Sequence, residues 1–130
     1  MVSRDEIKKK GLRRFFLSFK YSIAGLKIAY RDEQSMWIHL GATTLAVIGG
    51  FWLNISPMEW LIVVILITLV LGAELINTAI EAVVDLASPE YHELAKYAKD
   101  LASASVFIYS MLSLVGGGII FIPKIIAVLF

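Results

Sequence analysis

The sequence predicts an all-α membrane protein: an N-terminal amphipathic surface helix over about residues 6–31, then three transmembrane helices over about 36–53, 58–79 and 104–122, in a single domain. Three observations carry this expectation. Of 130 residues, 58% are apolar and 18% charged, against about 45–50% and about 25% in a soluble domain. The apolar stretches recur at close to the roughly 20 residues that one bilayer span requires. The basic charge is crowded at one end: nine of the twelve Lys and Arg residues lie between Arg4 and Arg31, so a net charge of +1 conceals a basic N-terminus.

The first 30 residues alternate charge and hydrophobe and lack the uninterrupted apolar core of a signal peptide, so this N-terminus is expected to stay attached. Leu12, Phe15, Phe16, Phe19, Ile23, Leu26 and Tyr30 recur at three-and-four spacing and make one helix face, while Lys9, Arg13, Lys20, Lys27 and Arg31 occupy the others. A helix so built lies in the headgroup plane, held partly by anionic lipid. A soluble helix packed on a partner shares the pattern, and the apolar spans that follow favour the membrane.

Between the first two spans, Asn54 to Pro57 leaves room only for a tight turn, and Pro57 suits the first turn of a helix, where a missing N–H is harmless. These spans therefore form an antiparallel hairpin. Eleven Lys and Arg residues precede the first span or lie between the second and third, none lies in the turn, and Lys124 alone lies beyond the third. The positive-inside rule places the N-terminus and the 88–100 region in the cytoplasm and the C-terminus outside. Ser88-Pro89-Glu90 reads as the N-cap and first turn of the third helix, which then projects roughly 15 residues, about 20 Å, before its apolar part begins.

The informative stretch is ELINTAIEAVVD, residues 74–85, which continues the second span with no Gly or Pro to stop the helix. At about 100° per residue, Glu74, Asn77, Glu81 and Asp85 fall within an arc of roughly 80°, a polar stripe about 16 Å long. If hydrocarbon begins near Trp60, about 20 residues of helix reach Ala79, which leaves Glu74 inside the membrane boundary. A carboxylate at that depth faces the protein interior or a wet cleft and marks a functional candidate. Asp85 fits a solvated helix end equally well.

Lys96, Lys99, Asp100 and Ser103 share a face of the third helix that can meet this stripe, as an ion-pair clamp or as part of a site. Glu33, just before the first span, sits at the same level. Glu33 and Glu81 together suit Mg²⁺, which takes one or two carboxylates plus substrate phosphates.

Several functions are excluded or weakened. Without cysteine there are no disulfides, thiolate catalysis or cysteine-ligated zinc. No Walker A loop is present, and Gly116 to Gly118 lie inside a span, where close helix contact explains them. His39 has too few potential co-ligands for zinc and reads as an interfacial hydrogen-bonder. The mid-span polar residues Thr43, Thr44, Thr68, Tyr109, Ser110 and Ser113 are too few for an ion path. Nothing suggests nucleic-acid binding. The charged candidates gather at the cytoplasmic boundary, which suits chemistry joining a water-soluble partner to a lipid head. A helical membrane subunit whose acidic stripe docks a partner or an ion is the non-enzymatic alternative.

ELINTAIEAVVD resembles the signature of the small integral-membrane diacylglycerol kinase family of prokaryotes, as does YHELAKYAKD at residues 91–100, and the likeness extends over nearly the whole chain. Glu59-Trp60, FIPK at 121–124 and His39 six residues after Glu33 are similar to the Gram-positive branch whose members phosphorylate undecaprenol. Ser35, where that branch tends to carry asparagine, and the segment Ser103 to Ser105 depart from it. The resemblance implies an ATP- and Mg²⁺-dependent lipid kinase at the cytoplasmic face of a bacterial inner membrane, with undecaprenol the favoured acceptor and diacylglycerol second. It implies Glu74 as catalytic base, Glu33 and Glu81 as Mg²⁺ ligands with ATP, and Asn77 as a positioning group. It further implies Asp85 and Asp100 lining the nucleotide site and Lys99 on a nucleotide phosphate, with Ser103 among the substrate-binding residues. The assembly it implies is a homotrimer whose active sites are shared between neighbouring subunits.

Overall fold

The computed structural model describes residues 11–130, and every described element is an α-helix: α1 (Leu12–Asp32), α2 (Gln34–Trp52), α3 (Pro57–Ala87) and α4 (Glu93–Leu129). The expected start of the surface helix, residues 6–10, lies outside the described residues. The chain divides into two units, the first ending at Asp32 and the second beginning at Glu33. In the first, Phe15, Phe16, Phe19, Ile23 and Leu26 are all exposed on α1, the face the sequence pattern assigns to lipid.

In the second unit, α2 ends in a tight turn. Asn54 takes a left-handed backbone conformation (φ 49°), and the Ile55 N–H donates to the Gly50 carbonyl at 3.1 Å. Ser56 caps α3. Its hydroxyl accepts from the Glu59 N–H at 3.3 Å, and the Glu59 carboxylate accepts from the Ser56 N–H at 2.7 Å, so two helix-end donors are satisfied reciprocally ahead of Pro57 in the first turn. Lys124 of α4 adds an ion pair to Glu59 at 3.2 Å.

The principal packing is between α3 and α4, with α2 set mainly against α3. The buried cluster Ile55, Val63 and Ile120, joined by Ala46, Leu53, Trp60, Ile67 and Phe121, lies at the turn end of this unit. Close approach is built in by glycine: a Cβ on Gly50 would meet the Trp60 ring at 2.6 Å, and one on Gly116 would meet Leu66 at 2.7 Å. The packing role expected for Gly116 to Gly118 thus falls on Gly116, while Gly117 faces open space. Thr44 and Thr68 donate to the carbonyls of Leu40 and Val64 in their own helices, both at 2.8 Å, so neither offers a free polar step through the apolar zone.

By length and apolar composition α3 and α4 suffice to cross a membrane. At about 1.5 Å per residue, the 31 residues of α3 are longer than hydrocarbon about 30 Å thick requires, and the helix runs through residues 74–87 without a break.

Two expectations are corrected. Ser88 does not cap the helix of the third span, α4; it closes α3, its N–H donating to the Val84 carbonyl at 2.8 Å, while its hydroxyl donates to the Glu90 carbonyl within the connecting turn. The fourth helix starts at Glu93, where the His92 ring nitrogen Nδ1 accepts from the Leu94 N–H at 3.1 Å. With α3 still helical at Ala87, the chain needs residues 88–92 to reverse, so the polar projection of α4 is shorter than expected by about one turn. At its other end α4 continues through Pro123 to Leu129, so the residues after 122 are helical and not a tail.

Candidate active site

The polar stripe on α3 becomes a site because α3 is unbroken from Pro57 to Ala87. Glu74 is 6% exposed and is the one charged side chain that is buried among the described residues. Removing an ion from water costs several kcal/mol unless a partner replaces the lost hydration. The partner is His39 of α2, whose Nε2 lies 2.9 Å from Glu74 Oε1.

Glu74 opens onto a cavity of about 310 Å³ lined by Glu33, Ser35, Asn77, Ser103, Val106 and Phe107. Glu33 reaches it from the break before α2. It occupies the N-cap position in extended conformation (φ −109°, ψ 116°), and its side chain makes no capping hydrogen bond, so the carboxylate is spared for the cavity. Asn77, one turn beyond Glu74, donates from Nδ2 to Glu81 Oε1 at 3.0 Å. This bond orients the amide, because turning it over would set two acceptors against each other. Its Oδ1 is buried and has no hydrogen-bond partner. An unpaired buried acceptor costs about 1–3 kcal/mol and marks a place where a ligand is wanted.

Beyond the cavity, Lys99 of α4 pairs with Asp85 of α3 at 2.5 Å. The hydrogen bond that Lys99 donates to Asp85 is the main influence raising the Lys99 pKa above its ordinary value, aided by the charges of Asp85 and Glu81 and opposed by desolvation. Lys99 therefore stays cationic at the end of the acidic stripe. Asp100 is placed differently. It is exposed and pairs with Lys96 one turn back on its own helix, and it does not line the cavity. Of the residues expected to act together, Glu33, Glu74, Asn77 and Ser103 line one cavity, Glu81 joins through Asn77, and Lys99 joins Asp85.

The oxygen donors of Glu33 and Glu81 and the unpaired Asn77 Oδ1 are of the hard type that Mg²⁺ selects. Among the described residues no three His, Asp or Glu side chains are grouped around a single point. Such a donor set fits an ion that draws most of its ligands from phosphates and water, and it does not fit an all-protein cage.

His39 is the residue whose role the sequence pattern understated: it is a hydrogen-bonder as expected, and its partner is the buried carboxylate of Glu74. A signal was available. Counted from the turn near Ile55, His39 lies about 16 residues back and Glu74 about 19 residues on, or roughly 24 and 28 Å along antiparallel helices, so the two sit at nearly one depth.

The sequence profile of the family described as prokaryotic diacylglycerol kinase matches residues 20–121. The undecaprenol kinase of Bacillus subtilis is 38% identical over 125 residues, covering 96% of this chain and all of that protein. The diacylglycerol kinase of Haemophilus influenzae is 37% identical over 115 residues, covering 88% and 98% of the two chains. The diacylglycerol kinase of Escherichia coli K12 is 38% identical over 98 residues, covering 75% and 80%.

Proposed function

Because the chain belongs to the prokaryotic diacylglycerol kinase family, and so is a lipid kinase, we propose that it transfers the γ-phosphate of ATP to the hydroxyl of a membrane lipid alcohol, undecaprenol. The observation that carries this reading is the buried Glu74 carboxylate opening onto a cavity that also holds Glu33, Asn77 and Ser103. Undecaprenol is favoured by the name and the near-complete overlap of the Bacillus subtilis relative; the names of the other two favour diacylglycerol as the second acceptor.

In this reading Glu74 accepts the hydroxyl proton while the lipid oxygen bonds to the γ-phosphorus and the bond to ADP breaks. Glu33 and Glu81 would hold Mg²⁺, which supplies neutralisation of phosphate charge. Asn77 orients Glu81 and offers Oδ1 to the reacting groups. Lys99 turns from Asp85 to a phosphate oxygen, so charge that spreads in the transition state meets a fixed cation. Asp85 and Ser103 complete the nucleotide and substrate side, while Asp100, paired with Lys96, stands outside it. An apolar cavity of about 290 Å³ between α2, α3 and α4, with His39 at its rim, gives the lipid chain a place beside the carboxylate.

The same reading places three spans in the bacterial inner membrane, with the N-terminus and the site cytoplasmic and the C-terminus outside, as the Lys and Arg distribution favours. It takes the working unit as a homotrimer with sites shared between subunits, which suits the many exposed apolar side chains on α2 to α4.

The test is a lipid panel with purified full-length protein, labelled ATP and Mg²⁺, undecaprenol beside dioleoylglycerol. Phosphate appears on undecaprenol faster than on dioleoylglycerol, and Glu74→Gln abolishes transfer while assembly in detergent is retained. No labelled lipid from either acceptor rejects the kinase, and full turnover by Glu74→Gln rejects Glu74 as the base.

A further inference from the structure

The pair His39 and Glu74 links the two cavities. The His39 ring lines the apolar cavity with Thr43, Val63, Val70 and Ser113, and its Nε2 bonds to Glu74, which lines the polar one. The imidazole side chain is 19% exposed and the carboxylate side chain 7%, so water competes weakly for either group. A carboxylate that is to take a proton has none to give, so in the bond to Oε1 the donor is Nε2–H.

A glutamate has three rotatable side-chain bonds, and on α3 its neighbours one turn away offer no fixed donor to its carboxylate: Val70 and Leu71 are apolar, the Asn77 amide donates to Glu81, and the Thr78 hydroxyl donates to the Glu74 backbone carbonyl at 3.0 Å. The bond from α2 is what holds the head group. Resting on the kinase reading, we infer that His39 is a positioning residue for the phosphoryl transfer: its Nε2–H engages Glu74 Oε1 and fixes the carboxylate at the junction of the lipid and nucleotide cavities, leaving Oε2 to receive the hydroxyl proton. Misplacing a catalytic group by about 1 Å costs about 10²-fold in rate, which sets the size of the effect.

The test uses the full chain in mixed micelles with ATP and Mg²⁺, with undecaprenol and dioleoylglycerol as separate acceptors, and compares His39→Leu, His39→Asn and His39→Gln. Glutamine carries an amide N–H at nearly the reach of Nε2; asparagine falls short of it. Expected is a fall in kcat of about 10²-fold for His39→Leu and His39→Asn with KM for ATP within about twofold, rescue to within about fivefold by His39→Gln, and no further loss when His39→Leu is added to Glu74→Gln. Melting temperatures of all variants are read alongside. If His39→Leu fails to fold, the contrast between asparagine and glutamine decides alone. Full kcat in the leucine variant, or equal loss in the folded glutamine and asparagine variants, overturns the inference. A wild-type chain that phosphorylates neither acceptor overturns the kinase reading and this inference with it; an active wild type with an unaffected leucine variant overturns only the inference.

Discussion

Lys99 Nζ lies 2.5 Å from Asp85 Oδ1, joining α4 to the last turn of α3 beyond the apolar stretches of both helices. Both side chains are solvent-exposed to a degree that screens the pair, which makes it a poor clamp and a good reserve: the lysine is held cationic and in place yet is free to exchange partners. Lys99→Met is expected to lower kcat/KM for ATP by at least about tenfold while the melting temperature moves little, because the interaction it removes matters to a phosphate more than to the fold. Steady-state kinetics beside a thermal melt in the same detergent checks this.

The raised Lys99 pKa also sets a sign for pH dependence. A cation whose folded pKa exceeds its unfolded value contributes fully below the unfolded value, about 10.4, and that contribution fades only as pH rises through the still higher folded one. Activity between pH 6 and 9 is therefore expected to carry no basic limb from Lys99. A basic limb in the wild type that disappears in Lys99→Arg would contradict this.

Glu81 receives the Asn77 amide, so the two are expected to fail together. If Glu81 holds Mg²⁺ as proposed, Glu81→Ala should raise the Mg²⁺ concentration for half-maximal activity by about tenfold or more, through loss of one of two hard carboxylate ligands. Asn77→Leu should show a smaller rise in the same titration, because Glu81 survives but is no longer oriented. A Mg²⁺ titration with equal half-maximal points in wild type and Glu81→Ala would remove Glu81 from the metal.

The turn end of the bundle depends on shape. A Cβ at Gly50 would stand 2.6 Å from the Trp60 ring and 3.1 Å from Ile55. The indole is stiff and packed against Phe51, centroids 4.9 Å apart, so Gly50→Ala is expected to cost about 1–3 kcal/mol through overpacking, read as a lower melting temperature. Gly117→Ala, which meets nothing, should melt at or above the wild-type temperature, and a fall equal to that of Gly50→Ala would refute the packing account.

What the chain alone determined is whatever repeats along it. Helix periodicity placed the stripe Glu74, Asn77, Glu81 and Asp85 on one face, and the cap and turn chemistry around Asn54 to Pro57 placed the hairpin; both follow from rise and angle per residue and involve neighbours a turn apart. The start of α4 is ambiguous in the sequence for a local reason, since Ser88 satisfies the preference for an N-cap and also closes a helix, and only the continuation of α3 to Ala87 selects between them. Tertiary structure decided which way each helix turns about its axis. That rotation, set by the packing of Leu66 on Gly116 and of the apolar cluster at Ile55, brings His39 to Glu74 and admits Glu33 and Ser103 to the same cavity. Such pairings depend on contacts between residues tens of positions apart, whose energies no spacing within a single helix records.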